Sequence, residues 1–357
     1  MKIGVVCRFP PEKDGIAHTY HNLIAELKKS ISLVAIGTEK SDADYKIDFK
    51  SFRLKKSLAK IIEKEKLDMI HLHYIAPFYG KYTLNINLLH ALSQKIPMIV
   101  ELHEVQYTCK GIKKKILCAI EKAIVKKAGK IIVHTQGQKQ FLEAKYHADN
   151  IECIYMGITQ KNPHVLNKKN ILFFGILSKL KGIEYLIQAM DNLPEYNLRI
   201  VASMPDKTLS KYSNELKELI KTKTLKNTEF ISKEWFTDEE KDGHYHWADI
   251  IALPYIWGSY QSAVAADAVS YGLPILVTKT GAIWEMVDKF KCGVIIEPKK
   301  SSEIAKGIKK IFSNYEKYQQ GIMNYRDETD WRKISSEYIR QFKKILQNNS
   351  KLALQTS

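Results

Sequence analysis

The polar loop Trp257–Ser262 has the residue types and the placing of a phosphate cradle. It lies within ADIIALPYIWGSYQSAVAADAVSYGLPILVTKTGAIWEMV, residues Ala248 to Val287. The apolar run Ile250–Leu253 reads as a strand, Pro254 ends it, and Ala263–Tyr271 reads as a helix followed by Gly272 and a second strand, Pro274–Thr278. The loop therefore joins the carboxyl end of a strand to the amino end of a helix, where free backbone N–H groups and the positive end of the helix dipole favour an anion. Gln261 and the backbone N–H groups of Ser262 and Ala263 are the local candidates for phosphate contacts. A second group of candidates lies in the first half of the chain. His103 follows directly on the strand Met98–Leu102, and His71 and His73 are read as the end of another strand. Of these, His73 is taken as a ligand-side residue and His71 as structural. Gly15 lies in the turn after the first strand (FPPEKDGIAH), where the lack of a Cβ lets backbone approach a ligand.

These groups need elements to hold them. Apolar runs predict strands at Lys2–Val6, Leu33–Ile36, Met69–Leu72, Met98–Leu102, Ile131–Val133 and Ile151–Ile154. Amphipathic stretches between them predict helices at Ile16–Lys29, Leu54–Lys66, Leu84–Ser93 and Ile112–Lys127. The alternation means a parallel, doubly wound sheet. The polar stretch Thr159–Asn170 reads as a linker. The rhythm restarts with strands at Ile171–Phe174, Leu198–Ala202, Glu229–Ile231, Ile250–Leu253, Pro274–Thr278 and Val294–Ile296. A last helix is expected from Trp331 to about Leu346, followed by a frayed polar tail.

At 357 residues the chain suits two domains of ordinary size, and 45% hydrophobic residues suffice for two cores. No apolar run is long enough to span a bilayer, and the N-terminus reads as a first strand rather than a signal peptide. The five cysteines are scattered, with no Cys-x-x-Cys pair, so neither a zinc site nor a disulfide framework is expected, and the pattern fits a reducing cytosol. The net charge is +17, and the segment Lys110–Lys130 holds eight lysines against one glutamate. Ile112, Ile116, Ile120 and Ile124 recur there at helical spacing. Such a basic amphipathic helix can pack its apolar stripe on a sheet, and it can also present its lysines to an anionic membrane surface. Nucleic acid is not expected, for no recognised motif accompanies the basic stretch and no aromatic residues interleave it. Gly-x-Gly-x-x-Gly after the first strand, Gly-x4-Gly-Lys-Ser/Thr and Gly-x-Ser-x-Gly are all absent, which argues against a nicotinamide dehydrogenase, a P-loop ATPase and an α/β-hydrolase. Asp42-x-Asp44 sits in a polar stretch and reads as a solvated loop rather than a metal motif.

The spacing of Ala248-Asp249, Pro254, Asp267-Ala268, Gly272, Pro274, Thr278, Gly281 and Glu285 resembles the donor-binding half of family-4 retaining glycosyltransferases (glycosyl transferases group 1). A second block, ILFFGILSKLKGIEYLIQAM (Ile171–Met190), resembles the strand–Gly-x5-Lys-Gly–helix opening of that family's second domain. Weaker echoes at LDMIHLHY, IVELHE, IYMGI and DWRKIS extend the likeness over roughly residues 1–345. The resemblance implies an α/β protein of the GT-B fold, with two Rossmann-like doubly wound domains facing each other across a cleft. The expected division is 1–160 for acceptor binding, 161–335 for the nucleotide sugar, and 336–357 for a helix crossing back and the tail. The implied activity is transfer of a hexose, with retention and without metal, from a nucleotide sugar, UDP- or GDP-linked, to a glycan or lipid-linked acceptor. No other cofactor is implied.

By the same resemblance Lys181 would bind the diphosphate, Asp267 the ribose, His103 the donor sugar, Gln261 and the Ser262 and Ala263 N–H groups the phosphate and sugar, and His73 the acceptor, while Gly15 would let backbone approach the diphosphate. Glu285 would bind a sugar or ribose, or cap the following helix. The chain departs from the family at several of these positions. Asp14 replaces the first of two glycines. Ile176 and Ser178 stand where an arginine is usual, which leaves Lys179 to supply the charge. Ser259 replaces the first acid of a Glu-x7-Glu motif, though Gln261-Ser262-Ala263 resembles a Gln-Ser-Gly variant of the loop. These departures leave a second reading open, a non-catalytic nucleotide-sugar-binding scaffold of a transferase complex.

Overall fold

The computed structural model describes residues 1–12, 15–80, 85–162, 166, 168–257 and 262–355. The chain divides into two compact units, Met1–Gly157 with Trp331–Ser357, and Ile158–Asp330. The second unit thus begins three residues before, and ends five residues before, the boundaries 161 and 335 read from the sequence.

The first unit contains β1 (Lys2–Val6), α1 (Gly15–Leu27), β2 (Ser32–Gly37), β3 (Tyr45–Lys46), α2 (Leu54–Glu65) and β4 (Met69–Tyr74). It continues with α3 (Ile86–Ala91), β5 (Met98–Leu102), α4 (Ile112–Lys127), β6 (Lys130–Val133), α5 (Gln136–Tyr146) and β7 (Ile151–Cys153). All strand pairs are parallel, in the order β3-β2-β1-β4-β5-β6-β7. Alternation along the strands makes the two faces. Ile70, Leu72, Val100, Leu102, Ile131 and Val133 pack with α2, α3 and α4 on one side. Ile3, Val5, Met69, Ile99 and Ile132 pack on the other with Tyr20 and Leu23 of α1.

The second unit contains β8 (Asn170–Ile176), α6 (Ile183–Ala189), β9 (Asn197–Ser203), α7 (Ser210–Thr222), β10 (Thr228–Lys233) and α8 (Asp238–Trp247). Then come β11 (Ile250–Leu253), α9 (Ala263–Ser270), β12 (Ile275–Thr278), α10 (Ile283–Phe290), β13 (Gly293–Ile296), α11 (Ser301–Ser313) and α12 (Tyr315–Glu328). Its parallel sheet runs β10-β9-β8-β11-β12-β13. Asp249 fixes its start by accepting hydrogen bonds from the N–H groups of Lys168 and Asn170. Both sheets repeat one topology, and α13 (Trp331–Gln355) returns the chain to the first unit.

Several elements differ from the sequence reading. β4 extends to Tyr74, so His73 joins His71 inside a fully buried strand rather than lying beyond the expected end at Leu72. α13 runs on to Gln355, past the expected end at Leu346. Its Trp331, Ile334, Tyr338, Phe342 and Ile345, spaced three or four apart, are buried with α1, and the tail continues their helix. α5 has an apolar pattern too thin to read, and Thr135 starts it by accepting from the Gln138 N–H. Cys109 and Cys118 form a disulfide with their Cα atoms 6.0 Å apart, contrary to the expectation of none. The segment before α4 folds back so that Cys109 meets the helix's second turn, which a spacing of nine residues does not announce. Among the described residues, no helix is long and apolar enough to cross a membrane.

Candidate functional site

In the second unit the strand order reverses between β8 and β11, and the segments that follow those two strands meet there. This is the crevice where open parallel sheets bind ligands. After β8 comes a 3-10 turn, Lys179–Lys181, started by Ser178, whose hydroxyl accepts from the Leu180 N–H. After β11 comes Pro254–Ile256. The Ile256 N–H donates to the Leu180 carbonyl at 2.9 Å and joins the two segments. Gly182 allows that approach. It has φ +64°, and a Cβ there would lie 2.2 Å from the Pro254 carbonyl oxygen. The same closeness sets Lys181 Nζ 3.6 Å from the centroid of the Tyr255 ring, a cation–π contact that holds the ammonium at the end of the sheet. Lys179 faces elsewhere, to Glu215 at 3.4 Å and the Tyr212 ring at 5.4 Å.

Ser259 and Gln261 lie outside the described residues. Ser262 is the N-cap position of α9 and is buried, with its hydroxyl 3.3 Å from that of Tyr255. Its carbonyl accepts from the N–H groups of Ala265 and Ala266, and Ala263 opens the helix. Asp267 is in the second turn of α9, paired with Lys241 of α8 at 2.7 Å. Thr278 ends β12 and donates its hydroxyl proton to the Tyr255 carbonyl. Glu285 lies in the first turn of α10, where it suits the helix dipole. The segments after β8, β11 and β12 thus meet around Tyr255, which sequence reading passed over.

In the first unit Gly15 opens α1; Asp14 before it lies outside the described residues. The loop after β1 is held by Glu12, which accepts from Arg8, Thr38 and Ser41. Burial pushes the Glu12 carboxyl up, but the hydrogen bonds from Ser41, Thr38 and Arg8 outweigh it and the pKa is lowered.

The predicted His73 and His103 meet here, with Nδ1 of the first 3.1 Å from Nε2 of the second. They belong to a larger buried network. His71 and His73 on β4, and Glu101 and His103 on and just beyond β5, alternate onto one face; His134 follows β6. His71 Nε2 is 2.8 Å from Glu101 Oε2, and His134 Nε2 is 3.2 Å from Glu101 Oε1. Tyr338 of α13 donates to Glu101 Oε2 at 2.9 Å, and Tyr20 of α1 donates to Oε1. Burial, helped by the charge of His134, lowers the His71 pKa to about 3, and burial holds His73 and His103 well below the ordinary imidazole value. Burial raises Glu101, although its contact with His134 and the Tyr338 hydroxyl oppose this. Glu101, His134, Tyr20 and Tyr338 were not singled out from the sequence. The available signal was the alternation in HLH and ELH, which places those pairs on one face.

On α4, Leu117, Ile120, Ile124 and Val125 are buried, whereas Lys113, Lys115, Lys122, Lys126 and Lys127 are exposed. Ile112, at 81% exposure, and Tyr107, at 38%, are apolar groups open to solvent.

The model for glycosyl transferases group 1 matches residues 157–328, and that for glycosyltransferase family 4 matches residues 15–161. An uncharacterized glycosyltransferase of Methanocaldococcus jannaschii is 23% identical over 318 residues, covering 79% of this chain and 77% of the relative. A glycosyltransferase structure from Rickettsia africae superposes with a TM-score of 0.74 at 18% identity, covering 97% of this chain and 99% of that one. HepE of Anabaena, solved in complex with UDP-glucose, gives a TM-score of 0.73 at 15% identity and covers 96% of this chain and 100% of its own. These likenesses, with the two doubly wound parallel sheets, establish the GT-B fold.

Proposed function

Because the chain belongs to the group 1 glycosyltransferases of the GT-B fold, we propose that it transfers a hexose, with retention, from a nucleotide sugar to a glycan or lipid-linked acceptor. The observation that carries this reading is the joining of the Lys179–Lys181 turn to Pro254–Ile256 at the switch of the second sheet. A departing nucleoside diphosphate needs its growing negative charge met. Lys181, held against Tyr255, and the amino end of α9 suit that task without a metal in the transfer. Asp267 can take the ribose hydroxyls by exchanging its Lys241 contact for them. His103 serves the donor sugar, and His73, whose side chain is buried and so cannot meet an acceptor, orients His103. That HepE was solved with UDP-glucose favours a uridine donor over a guanosine one.

The basic surface of α4, with Ile112 exposed beside Lys113 and Lys115, supports a protein resting on an anionic membrane, where a lipid-linked acceptor would lie. Assembly of a surface polysaccharide or of a protein-linked glycan suits that placing.

The test is ligand-induced thermal stabilisation by UDP, GDP and their hexose conjugates, with and without EDTA. Ligand at about 100 times its Kd should add about 2.7 kcal/mol. Selective stabilisation by one nucleotide sugar, unchanged by EDTA and lost in Lys181→Ala, is expected. No stabilisation by any of them refutes a donor site in the free protein. NMR of the anomeric proton in the product then decides retention.

A further inference from the structure

We propose that Glu101, His103 and His134 bind one divalent first-row metal ion, of the zinc class, within the first unit. Each of the three offers one ligand atom, and these atoms lie within 4.8 Å of one another. A second possible triad, His71, His73 and Glu101, shares the same carboxylate, so the cluster holds one ion rather than two.

The argument starts from His134. Its Nδ1 is 3.0 Å from the Ile154 carbonyl oxygen, which can only accept. Nδ1 therefore carries a hydrogen, and Nε2 faces Glu101 Oε1 at 3.2 Å. Tyr20, 3.4 Å from the same Nε2, gives its one hydroxyl proton to Glu101. The carboxylate and Nε2 thus meet inside a core around a cation, either a proton on Nε2 or a metal in its place. The spacing suits a metal. Bonds of about 2.1 Å at tetrahedral angles put ligand atoms roughly 3.4 Å apart.

The surroundings are those of a supported metal site, in which each ligand is oriented by an outer hydrogen bond. The Ile154 carbonyl fixes His134, Tyr338 and His71 fix Glu101, and His73 lies against His103. His71 Nδ1 and His73 Nε2 are buried with no hydrogen-bond partner, so the pocket leaves two imidazole nitrogens unmatched. Two imidazoles and one carboxylate form a set that zinc takes with a fourth position left open. The ion would hold the ring of His103 in place; it is not a reactant. This inference does not rest on the donor reading above. UDP can fail to bind while the metal binds, and the reverse.

The experiment is titration of the full chain, first stripped with chelator, with Co2+ alone. Visible d–d absorption is read, followed by displacement with Zn2+ and elemental analysis. One equivalent per chain with the intense spectrum of tetrahedral cobalt is expected, abolished by Zn2+. His134→Gln and Glu101→Gln should remove it, and Tyr338→Phe, which spares all three ligands, should weaken binding by about tenfold. Circular dichroism checks that each variant is folded, and the wild-type titration stands without any of them. No saturable uptake by the wild type would overturn the proposal and leave a shared proton in the site. So would uptake unchanged in folded Glu101→Gln, or a thiolate-to-cobalt charge-transfer band from Cys7, Cys153 or Cys292.

Discussion

Gly182→Ala separates the packing of the second unit's site from its charge. The residue has φ +64°, where a side chain costs about 1 kcal/mol. The new Cβ would also sit 2.2 Å from the Pro254 carbonyl oxygen and 3.3 Å from Ile256 Cγ1. A carbon and a carbonyl oxygen rest roughly 3.3 Å apart, so the two segments must part by roughly 1 Å, an overpacking that costs about 1–3 kcal/mol. The total loss is about 2–4 kcal/mol. Relief by moving Pro254 breaks the Ile256-to-Leu180 hydrogen bond and takes Tyr255 away from Lys181. Urea unfolding followed by fluorescence reads the stability, and calorimetric titration with UDP reads the site. Gly182→Ala should lower the midpoint and weaken UDP together. Lys181→Ala should weaken UDP while costing only about 1 kcal/mol, the scale of an exposed cation–π contact. A Gly182→Ala protein within about 0.5 kcal/mol of wild type, below the lower bound of the overpacking cost, would refute the packing argument. A destabilised variant with unchanged UDP affinity would refute the placing of the diphosphate at this turn.

Three further outcomes are expected. Asp267→Asn should cost at most about 1 kcal/mol in urea unfolding, since its pair with Lys241 is partly open to water. If Asp267 holds the ribose, calorimetry should show UDP weakened by far more than that, and equal losses of stability and affinity would refute the assignment. Reducing Cys109–Cys118 should destabilise the first unit by about 2.7 kcal/mol, the loop-closure value for so short a ring; a melting curve unmoved by thiol would show that the link does not form. Glu12 has a folded pKa below its free value of 4.5, so its stabilisation is complete above that value and is lost as pH falls through the folded one. The gap in melting temperature between wild type and Glu12→Gln should close on acidification, and a gap independent of pH would refute it.

What the sequence made legible follows from how local each feature is. β11 lies where its apolar run does, because a strand buried on both faces reads as an unbroken apolar segment. β4 was cut short at Leu72 because His73 follows His71 in breaking such a run, and a polar residue there looks like an end until its partner is known. That partner, Glu101, is 30 residues from His71, and the tyrosines that hold it are 81 and 237 residues away. No window along the chain contains Tyr20, Glu101 and Tyr338 together. The disulfide escaped for a related reason, since a nine-residue spacing says nothing about the bend that brings its ends together.

The two candidate sites then differ in kind. The turn after β8 and the loop after β11 each consist of neighbouring residues, and glycine, proline and lysine mark them directly. Their meeting depends only on the sheet reversing between those strands, a consequence of right-handed crossovers in an alternating chain. The first sheet reverses in the same way between β1 and β4. The loop after β1 lies on one side of that switch and the histidines of β4 and β5 on the other, so single residues such as His73 and His103 could be read from strand ends. The network that buries them could not, because its members come from three strands and two helices far apart in the chain. A group of lone pairs assembled over such distances costs stability unless a cation completes it. The identity of that cation, proton or metal, therefore decides whether the first unit's polar core is a binding site or only a satisfied network.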